Sequence, residues 1–143
     1  MTVDTLIKTN IATVTHFLNG THSGNLSVID DTVHQAIVTH GFPGGSPASR
    51  EQYKQWFVTF GSSFSNMTFE IQSLVADHTT VAVRWRVDVD HTGPFAGVDP
   101  TGRRVSFTGT AFYRMQDGRI AETWLQVDER GLLAQLAARD LAA

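Results

Sequence analysis

Two neighbouring charged residues, Arg86 and Asp88, are the first candidates for chemistry in this sequence. They lie in residues 81–90, where apolar and polar residues alternate strictly in the pattern of a β-strand. Because strand residues two apart share a face, the Arg86 guanidinium is expected to hold the Asp88 carboxylate in a fixed geometry. In a pocket, such a pair supplies a general base beside a cation. The alternative is that the valines and Trp85 of this strand face the core, which leaves the charged pair in solvent.

Two histidines at predicted strand ends are further candidates for proton transfer near neutral pH. His91 lies where residues 81–90 pass into a loop rich in Gly and Pro, residues 91–103. It is read either as a catalytic acid or base at a pocket rim or as a loop histidine bonded to the backbone. His40 borders a second loop, residues 41–49, and is read either as a substrate contact at the pocket mouth or as a strand-end histidine in water.

The sequence predicts neither a metal site nor a cofactor. It contains no cysteine, and its six histidines never occur two or four residues apart, as a local metal motif would require. Pro100-Thr101-Gly102 is a turn rather than a phosphate loop, because no further glycine or Lys-Ser/Thr accompanies it. We therefore expect a protein that works without metal, nucleotide or other cofactor.

Composition predicts one globular domain over residues 1–143, with 41% apolar and 17% charged residues. The net charge is −3 and the basic residues are scattered, which argues against nucleic acid and anionic membranes as partners. The sequence has no apolar run that could span a bilayer and no signal-peptide pattern. Together with the missing cysteines, these features predict a cytoplasmic location.

Periodicity predicts three helices. Apolar residues at spacings of three and four predict a helix over residues 5–18, with Gly20 near its C-terminus. Ser49 and Gln52 match a capping box, which begins a helix over residues 49–61 whose buried stripe includes Tyr53 and Trp56. Asp128 is expected to cap a last helix with an apolar stripe of Leu132, Leu133 and Leu136.

Five strands are predicted, at residues 32–40, 67–76, 81–90, 104–115 and 120–128. Asp117-Gly118 supplies the positive-φ residues of a tight hairpin between the last two, and Gly109 is a candidate bulge. This order of elements predicts an α+β fold, in which a curved antiparallel sheet forms a cone with helices packed on its concave side. Such a cone encloses a pocket for a small molecule.

Several segments of the second half resemble the SnoaL-like polyketide cyclase (ester cyclase) family, which has a nuclear-transport-factor-like cone fold. The resemblance is carried by residues 91–97, 100–103, 112–114 and 117–120, by Glu122, Trp124 and Asp128, and by residues 132–136. It implies a cofactor-independent enzyme that acts on a hydrophobic, polyketide-like small molecule. The reaction would be a ring closure or an addition of water or a proton.

Two departures from the family pattern affect the mechanism. The Asp acid/base of the family's aldol cyclases falls on Leu125, and a neighbouring His falls on Ala111, and neither of these residues transfers protons. If both positions face inward, strand alternation also turns Thr123, Phe107 and Tyr113 inward. The implied substrate-binding residues are Tyr53, Trp56, Phe107, Ala111, Tyr113, Leu125 and His40.

Two alternatives to the cyclase reading remain open. Arg86-Val-Asp88 also resembles limonene-type epoxide hydrolases, although the second Asp of their relay again falls on Leu125. The other alternative is a non-catalytic small-molecule-binding or assembly module that has lost the acid/base. Trp124 is predicted to lie on the outer sheet face, where it would contribute to a homodimer contact.

Overall fold

The computed structural model describes residues 2–138, which form four helices and five strands. In chain order these are α1 (Val3–His22), α2 (Val28–Thr32), β1 (Val33–His40), α3 (Arg50–Ser63), β2 (Phe64–Ala76), β3 (Thr80–His91), β4 (Arg104–Gln116), β5 (Arg119–Val127) and α4 (Glu129–Ala137). The fold is α+β, as the sequence predicts. The single domain predicted for residues 1–143 includes residues 1 and 139–143, which lie outside the described part.

The five strands form one sheet in the order β1-β5-β4-β3-β2. Strands β2 to β5 pair antiparallel with their chain neighbours, which confirms the predicted meander. The prediction of a wholly antiparallel sheet is wrong, because β1 pairs parallel to β5. Helix α3 follows β1 and leads the chain to β2 at the opposite edge, so no hairpin imposes an antiparallel direction on β1.

The β4–β5 hairpin has the predicted two-residue turn. Gln116 pairs with Arg119, and the intervening Asp117 and Gly118 have φ values of 53° and 74°. Positive φ at both central positions defines a type I′ turn, whose twist matches that of the flanking strands.

The alternation in β3 separates the core from the outer face of the sheet. Its valines at 81, 83, 87 and 89 and Trp85 are at most 5% exposed, whereas Arg84 and Arg86 are exposed. The apolar faces of the helices cover the inner face of the sheet, with Phe17 of α1, Tyr53 of α3 and Leu132 of α4 in one buried cluster. The inner face therefore carries both the core and a large cavity.

Gly109 does not form a bulge. The β3–β4 register runs without a shift from Thr80↔Arg114 to Asp90↔Arg104, and Gly109 pairs with Trp85 within it. A β-carbon at Gly109 would collide with the Trp85 ring. The glycine therefore makes room for an indole on the inner face instead of bending the strand.

The helix ends agree with most of the predicted caps. The Ser49 hydroxyl accepts a hydrogen bond from the Gln52 amide (3.1 Å), and Asp128 accepts one from the Gly131 amide (2.9 Å). The Gln52 side chain accepts from the Ala48 amide (2.9 Å), one residue before the partner expected in a capping box. In the predicted stripe of α4, Leu132 and Leu136 are buried but Leu133 is 36% exposed.

Helix α1 is longer than predicted. It continues through Gly20 to His22, and Ser23 is its C-cap. Gly20 lies inside the helix and does not end it. A glycine is needed at this position because a β-carbon would collide with the Val28 side chain. The extra turn places His22 on the stripe that already contains Val14 and Leu18, since the three residues are four apart. No helix in residues 2–138 is long and apolar enough to cross a membrane.

Candidate functional site

An internal cavity of about 480 Å³ lies between the inner face of the sheet and helices α1, α3 and α4. Its wall is mainly aromatic, because the inward positions of the sheet and the apolar helix faces supply large rings. These are Phe17, Phe42, Tyr53, Trp56, Phe57, Phe60, Phe64, Trp85, Phe95, Phe107 and Tyr113. A cavity of this size and composition suits a hydrophobic small molecule with planar rings.

Exposed residues among those that line the cavity mark its opening. They come from four elements or their ends: Ser23 and Gly24 after α1, Val58 and Gly61 of α3, Asn66 of β2, and Glu129 at the start of α4. Glu129 is the one carboxylate among the lining residues described. The opening is thus framed by residues from three helices or their ends and from the start of β2.

Three hydroxyl groups lie together at the inner end of the cavity. Tyr113 and Thr123 are directly opposite each other on β4 and β5, and the ring of Tyr53 in α3 packs edge-on against Phe17, as that of Tyr113 does. All three are at most 3% exposed. Burial raises the pKa of the Tyr53 phenol well above its usual value, with Tyr113 adding to the rise and the Thr123 hydroxyl opposing it. Burial likewise raises the pKa of Tyr113, so both phenols stay protonated and can serve as hydrogen-bond donors to a ligand.

His22 places an imidazole in the cavity wall. Its ring stacks on Phe69 at 4.0 Å between ring centroids, and the Phe57 ring meets it edge-on at 5.9 Å. Nδ1 lies 2.8 Å from the Leu18 carbonyl oxygen. Burial lowers the pKa of His22 from 6.5 to about 4, against a smaller opposing effect of this hydrogen bond. The imidazole is therefore neutral at physiological pH.

Arg86 and Asp88 do not reach the cavity, and the structure corrects their predicted placement. Arg86 Nη2 lies 3.1 Å from Asp88 Oδ1, and the Ser106 hydroxyl donates to the same carboxylate at 2.6 Å. Both side chains lie on the outer face because the valine and Trp85 stripe of β3 fills the inner one. Hydrogen bonds from Arg86 and then Ser106 hold the pKa of Asp88 below its usual range. The pair forms as expected, but as part of the outer surface.

His91 is also not a rim residue. It is fully buried at the end of β3, with its ring 5.6 Å from that of Phe64, and it does not line the cavity. Its Nδ1 accepts a hydrogen bond from the Thr101 backbone amide at 3.1 Å, so the loop it begins folds back over it. Among the residues described, no group bonds its buried Nε2. His91 thus fits the alternative of a histidine bonded to the loop backbone, although its partner is a backbone amide and not a backbone carbonyl.

Five of the seven predicted substrate-binding residues line the cavity: Tyr53, Trp56, Phe107, Tyr113 and Leu125. Ala111 pairs with Leu125 and faces inward, but it is 1% exposed and is not part of the cavity wall. His40 lies on the outer face, since its Nε2 is 2.7 Å from Glu122 and its ring stacks on Trp124. Its predicted place at the pocket mouth is therefore wrong.

The inward orientation of Leu125 and Ala111 is confirmed, with Thr123 inside as well. The cavity wall therefore carries leucine at the position where the resemblance puts the family's catalytic carboxylate. Among the described residues no group of three or more His, Asp or Glu side chains is arranged to hold a metal ion. The ionisable side chains that line the cavity are His22, Tyr53, Tyr113 and Glu129.

His22 is an ionisable residue of the cavity wall that the sequence did not predict. A helix predicted to end near Gly20 leaves His22 in the loop that follows, whereas the observed helix includes it. The available signal was the spacing of Val14, Leu18 and His22, which continues one helical stripe by a further turn.

Comparison with known proteins agrees with this geometry. The family model described as SnoaL-like polyketide cyclase matches residues 11–136. AclR from Streptomyces galilaeus, a candidate hydroxylase, is 27% identical with a TM-score of 0.81, over 94% of this chain and 85% of its own. IdmH from Streptomyces antibioticus, a candidate polyketide cyclase, is 28% identical with a TM-score of 0.78, over 90% of this chain and 99% of its own.

A candidate SnoaL-like polyketide cyclase from Jannaschia sp. CCS1 has a TM-score of 0.83 over 94% of this chain and 96% of its own. At 19% identity, this likeness concerns the fold alone. No curated protein matches the sequence significantly.

Proposed function

This chain belongs to the SnoaL-like polyketide cyclase family, and we propose that it is an enzyme acting on a hydrophobic, polyketide-like small molecule in the inner cavity. The observation that supports this most is the combination of an aromatic wall with buried hydroxyl donors at its inner end. The wall binds rings without specific polar contacts, and the donors fix the orientation of a carbonyl group. A carbonyl-bearing aromatic or polyketide chain has both features.

The proposed reaction is a ring closure or an addition of water or a proton. Tyr53 and Tyr113 are protonated donors in a water-poor site, where they stabilise negative charge that develops on a carbonyl oxygen. Intramolecular addition of carbon to a carbonyl consumes no electrons, so the proposed reaction is cofactor-independent.

The binding-module alternative is less well supported. It predicts a cavity without ionisable side chains, whereas four line this one, His22 among them. The epoxide-hydrolase alternative needs Arg86 and Asp88 in the cavity, and both lie on the outer face. We therefore propose neither.

Tyr53→Phe and Tyr113→Phe test the role of the hydroxyls in carbonyl binding. The matched ligands are 2-acetylnaphthalene and 2-ethylnaphthalene, which share the ring system and differ by one carbonyl oxygen. Each variant should raise the dissociation constant of 2-acetylnaphthalene by about 2- to 10-fold, the usual worth of one hydrogen bond. The dissociation constant of 2-ethylnaphthalene should stay unchanged, because the aromatic wall is intact. Calorimetric titration measures both, and equal effects on the two ligands would contradict the proposal.

We also propose that the outer face of the sheet forms a homodimer contact. Phe112 (52% exposed) and Trp124 (40% exposed) pair directly across β4 and β5, and His40 stacks on the indole. Trp124→Glu should convert a dimer to a monomer in sedimentation velocity experiments, because it places a charge in an apolar contact. Val3→Glu, which changes an exposed valine in the first turn of helix α1, is the matched control and should leave the dimer intact. A wild-type protein that sediments as a monomer at all concentrations would refute the proposal.

A further inference from the structure

The proton state of His22 follows from the two contacts of its Nδ1. The first, with the Thr21 hydroxyl at 3.2 Å, does not supply a proton, because that hydroxyl donates to the Phe17 carbonyl oxygen at 2.8 Å. Nδ1 lies 2.8 Å from the Leu18 carbonyl oxygen, and a carbonyl oxygen only accepts hydrogen bonds. Nδ1 therefore carries the proton in the neutral imidazole, and Nε2 keeps a free lone pair. No residue in the described part of the chain hydrogen-bonds Nε2, and this atom is not sealed from solvent as His91 Nε2 is. The lone pair is available to a molecule in the cavity.

The ring that carries this lone pair is held in place by packing. It stacks on Phe69 of β2 with 17° between the planes, Phe57 of α3 meets its side, and Trp85 of β3 lies 6.3 Å away. None of these facing groups is titratable. Phe57 also stacks on Tyr53 at 5.5 Å, so one phenyl ring separates His22 from the hydroxyl donors. A ligand lying along Phe57 can reach both.

We infer that His22 is the catalytic base of this cavity and that its Nε2 removes a proton from the carbon beside a substrate carbonyl. The inference rests on the proposed function above. It places the proton carrier on helix α1, whereas the sheet positions at which the family resemblance puts proton carriers hold Leu125 and Ala111. The substrate class is a 1,3-dicarbonyl compound, because two carbonyl groups make the intervening C–H acidic enough for a neutral imidazole to deprotonate.

The step balances within one substrate molecule. Nε2 takes the proton, and the C–H electron pair becomes an enolate whose oxygen accepts hydrogen bonds from Tyr53 and Tyr113. The enolate carbon then bonds to a second carbonyl carbon of the same chain, and the oxygen of that carbonyl receives the proton back from Nε2. Burial holds the imidazole unprotonated at the start of each cycle, and the enolate charge stabilises the imidazolium while it exists.

Exchange of deuterium into methyl 3-(2-naphthyl)-3-oxopropanoate tests this step without the natural substrate. In D₂O the wild-type protein should accelerate loss of the signal of the protons between the two carbonyls, as followed by NMR and corrected for buffer exchange. His22→Phe keeps an aromatic ring against Phe69 but removes the base, and should lower the accelerated rate by about 10²–10⁴-fold. His16→Phe is the matched control, since His16 is exposed on the same helix, and should exchange at the wild-type rate.

Two further readouts separate a base from a structural role. The dissociation constant of the probe should change less than about 3-fold in His22→Phe, and the wild-type rate should be flat from pH 6 to 8 and fall toward pH 4 as Nε2 is protonated. His22→Gln, compared by its thermal unfolding, replaces His22→Phe if that variant does not fold.

The possible outcomes distinguish a failure of the inference about His22 from a failure of the proposed function. Binding without acceleration, or undiminished exchange in His22→Phe and His22→Gln, would overturn the inference and leave the proposed function standing. No binding of the probe by the wild-type protein would overturn the proposed function and the inference with it.

Discussion

Leu125→Asp should lower the free energy of unfolding by about 3–5 kcal/mol at pH 7. The leucine is 8% exposed in the cavity wall, so the change removes buried methyl groups and places a carboxylate in an apolar site. Desolvation raises the pKa of such a carboxyl above its unfolded value of about 3.9. The unfolded chain therefore ionises first as the pH rises, and the destabilisation should grow from about pH 4 until the carboxyl of the folded protein is ionised as well. Urea unfolding at several pH values measures this.

Two control variants separate the effect of lost packing from that of the buried charge. Leu125→Asn loses the same packing without a titratable group, so its destabilisation should not depend on pH. Gln126→Asp adds the same charge one residue later, on the exposed face, and should change stability by less than about 0.5 kcal/mol. If Leu125→Asp proved as stable as Gln126→Asp, position 125 would not face an apolar cavity.

Gly41→Ala should destabilise the protein by about 3–5 kcal/mol, although it adds a single methyl group. Gly41 has a φ of 80°, which costs about 1–2 kcal/mol for a residue with a β-carbon, and the added carbon would collide with the Leu125 carbonyl oxygen. The β1–β5 pairing, which extends to His40↔Trp124, fixes the backbone just before Gly41 and that of β5, so the collision cannot relax by separation of the two strands. Thermal unfolding monitored by circular dichroism measures the effect.

Gly44→Ala isolates the conformational part of this effect. Gly44 has a nearly identical φ of 81° in the same loop, but nothing lies within 4 Å of the position its β-carbon would occupy. Its substitution should cost only the 1–2 kcal/mol that belongs to the backbone. Equal losses in the two variants would show that Gly41 does not pack against β5 as described.

Most strands, turns and helix ends follow from patterns among neighbouring residues, so they could be predicted from the sequence. The alternation over residues 81–90, the Asp117-Gly118 turn and the Asp128 cap are each set by neighbouring residues, and each appears as expected. The parallel pairing of β1 is different, because it depends on where α3 returns the chain and not on any residue within β1. Sequence periodicity carries no information on that choice.

The candidate site was harder to predict because it depends on which face of each strand points inward. In β3, Arg86 and Asp88 form an ion pair whichever face of the strand they occupy, so the pattern alone does not say whether the pair faces the cavity. The burial of Trp85 and the valines places the pair on the outer face. For β4 and β5, the family resemblance fixed the inward face, so Tyr113 and Leu125 were placed correctly. His22 is not predicted as a cavity residue because a glycine usually marks the end of a helix. Here Gly20 lies within the helix and makes room for the Val28 side chain.

The three tryptophans report directly on whether this cavity is the binding site. Trp56 and Trp85 line the cavity, whereas Trp124 lies on the outer face of the sheet. Titration with 2-acetylnaphthalene can be followed by the three indole N–H signals in ¹H–¹⁵N NMR spectra, assigned by single Trp→Phe variants. We predict that the signals of Trp56 and Trp85 shift with one saturable dissociation constant while that of Trp124 stays in place. A shift confined to Trp124 would contradict it.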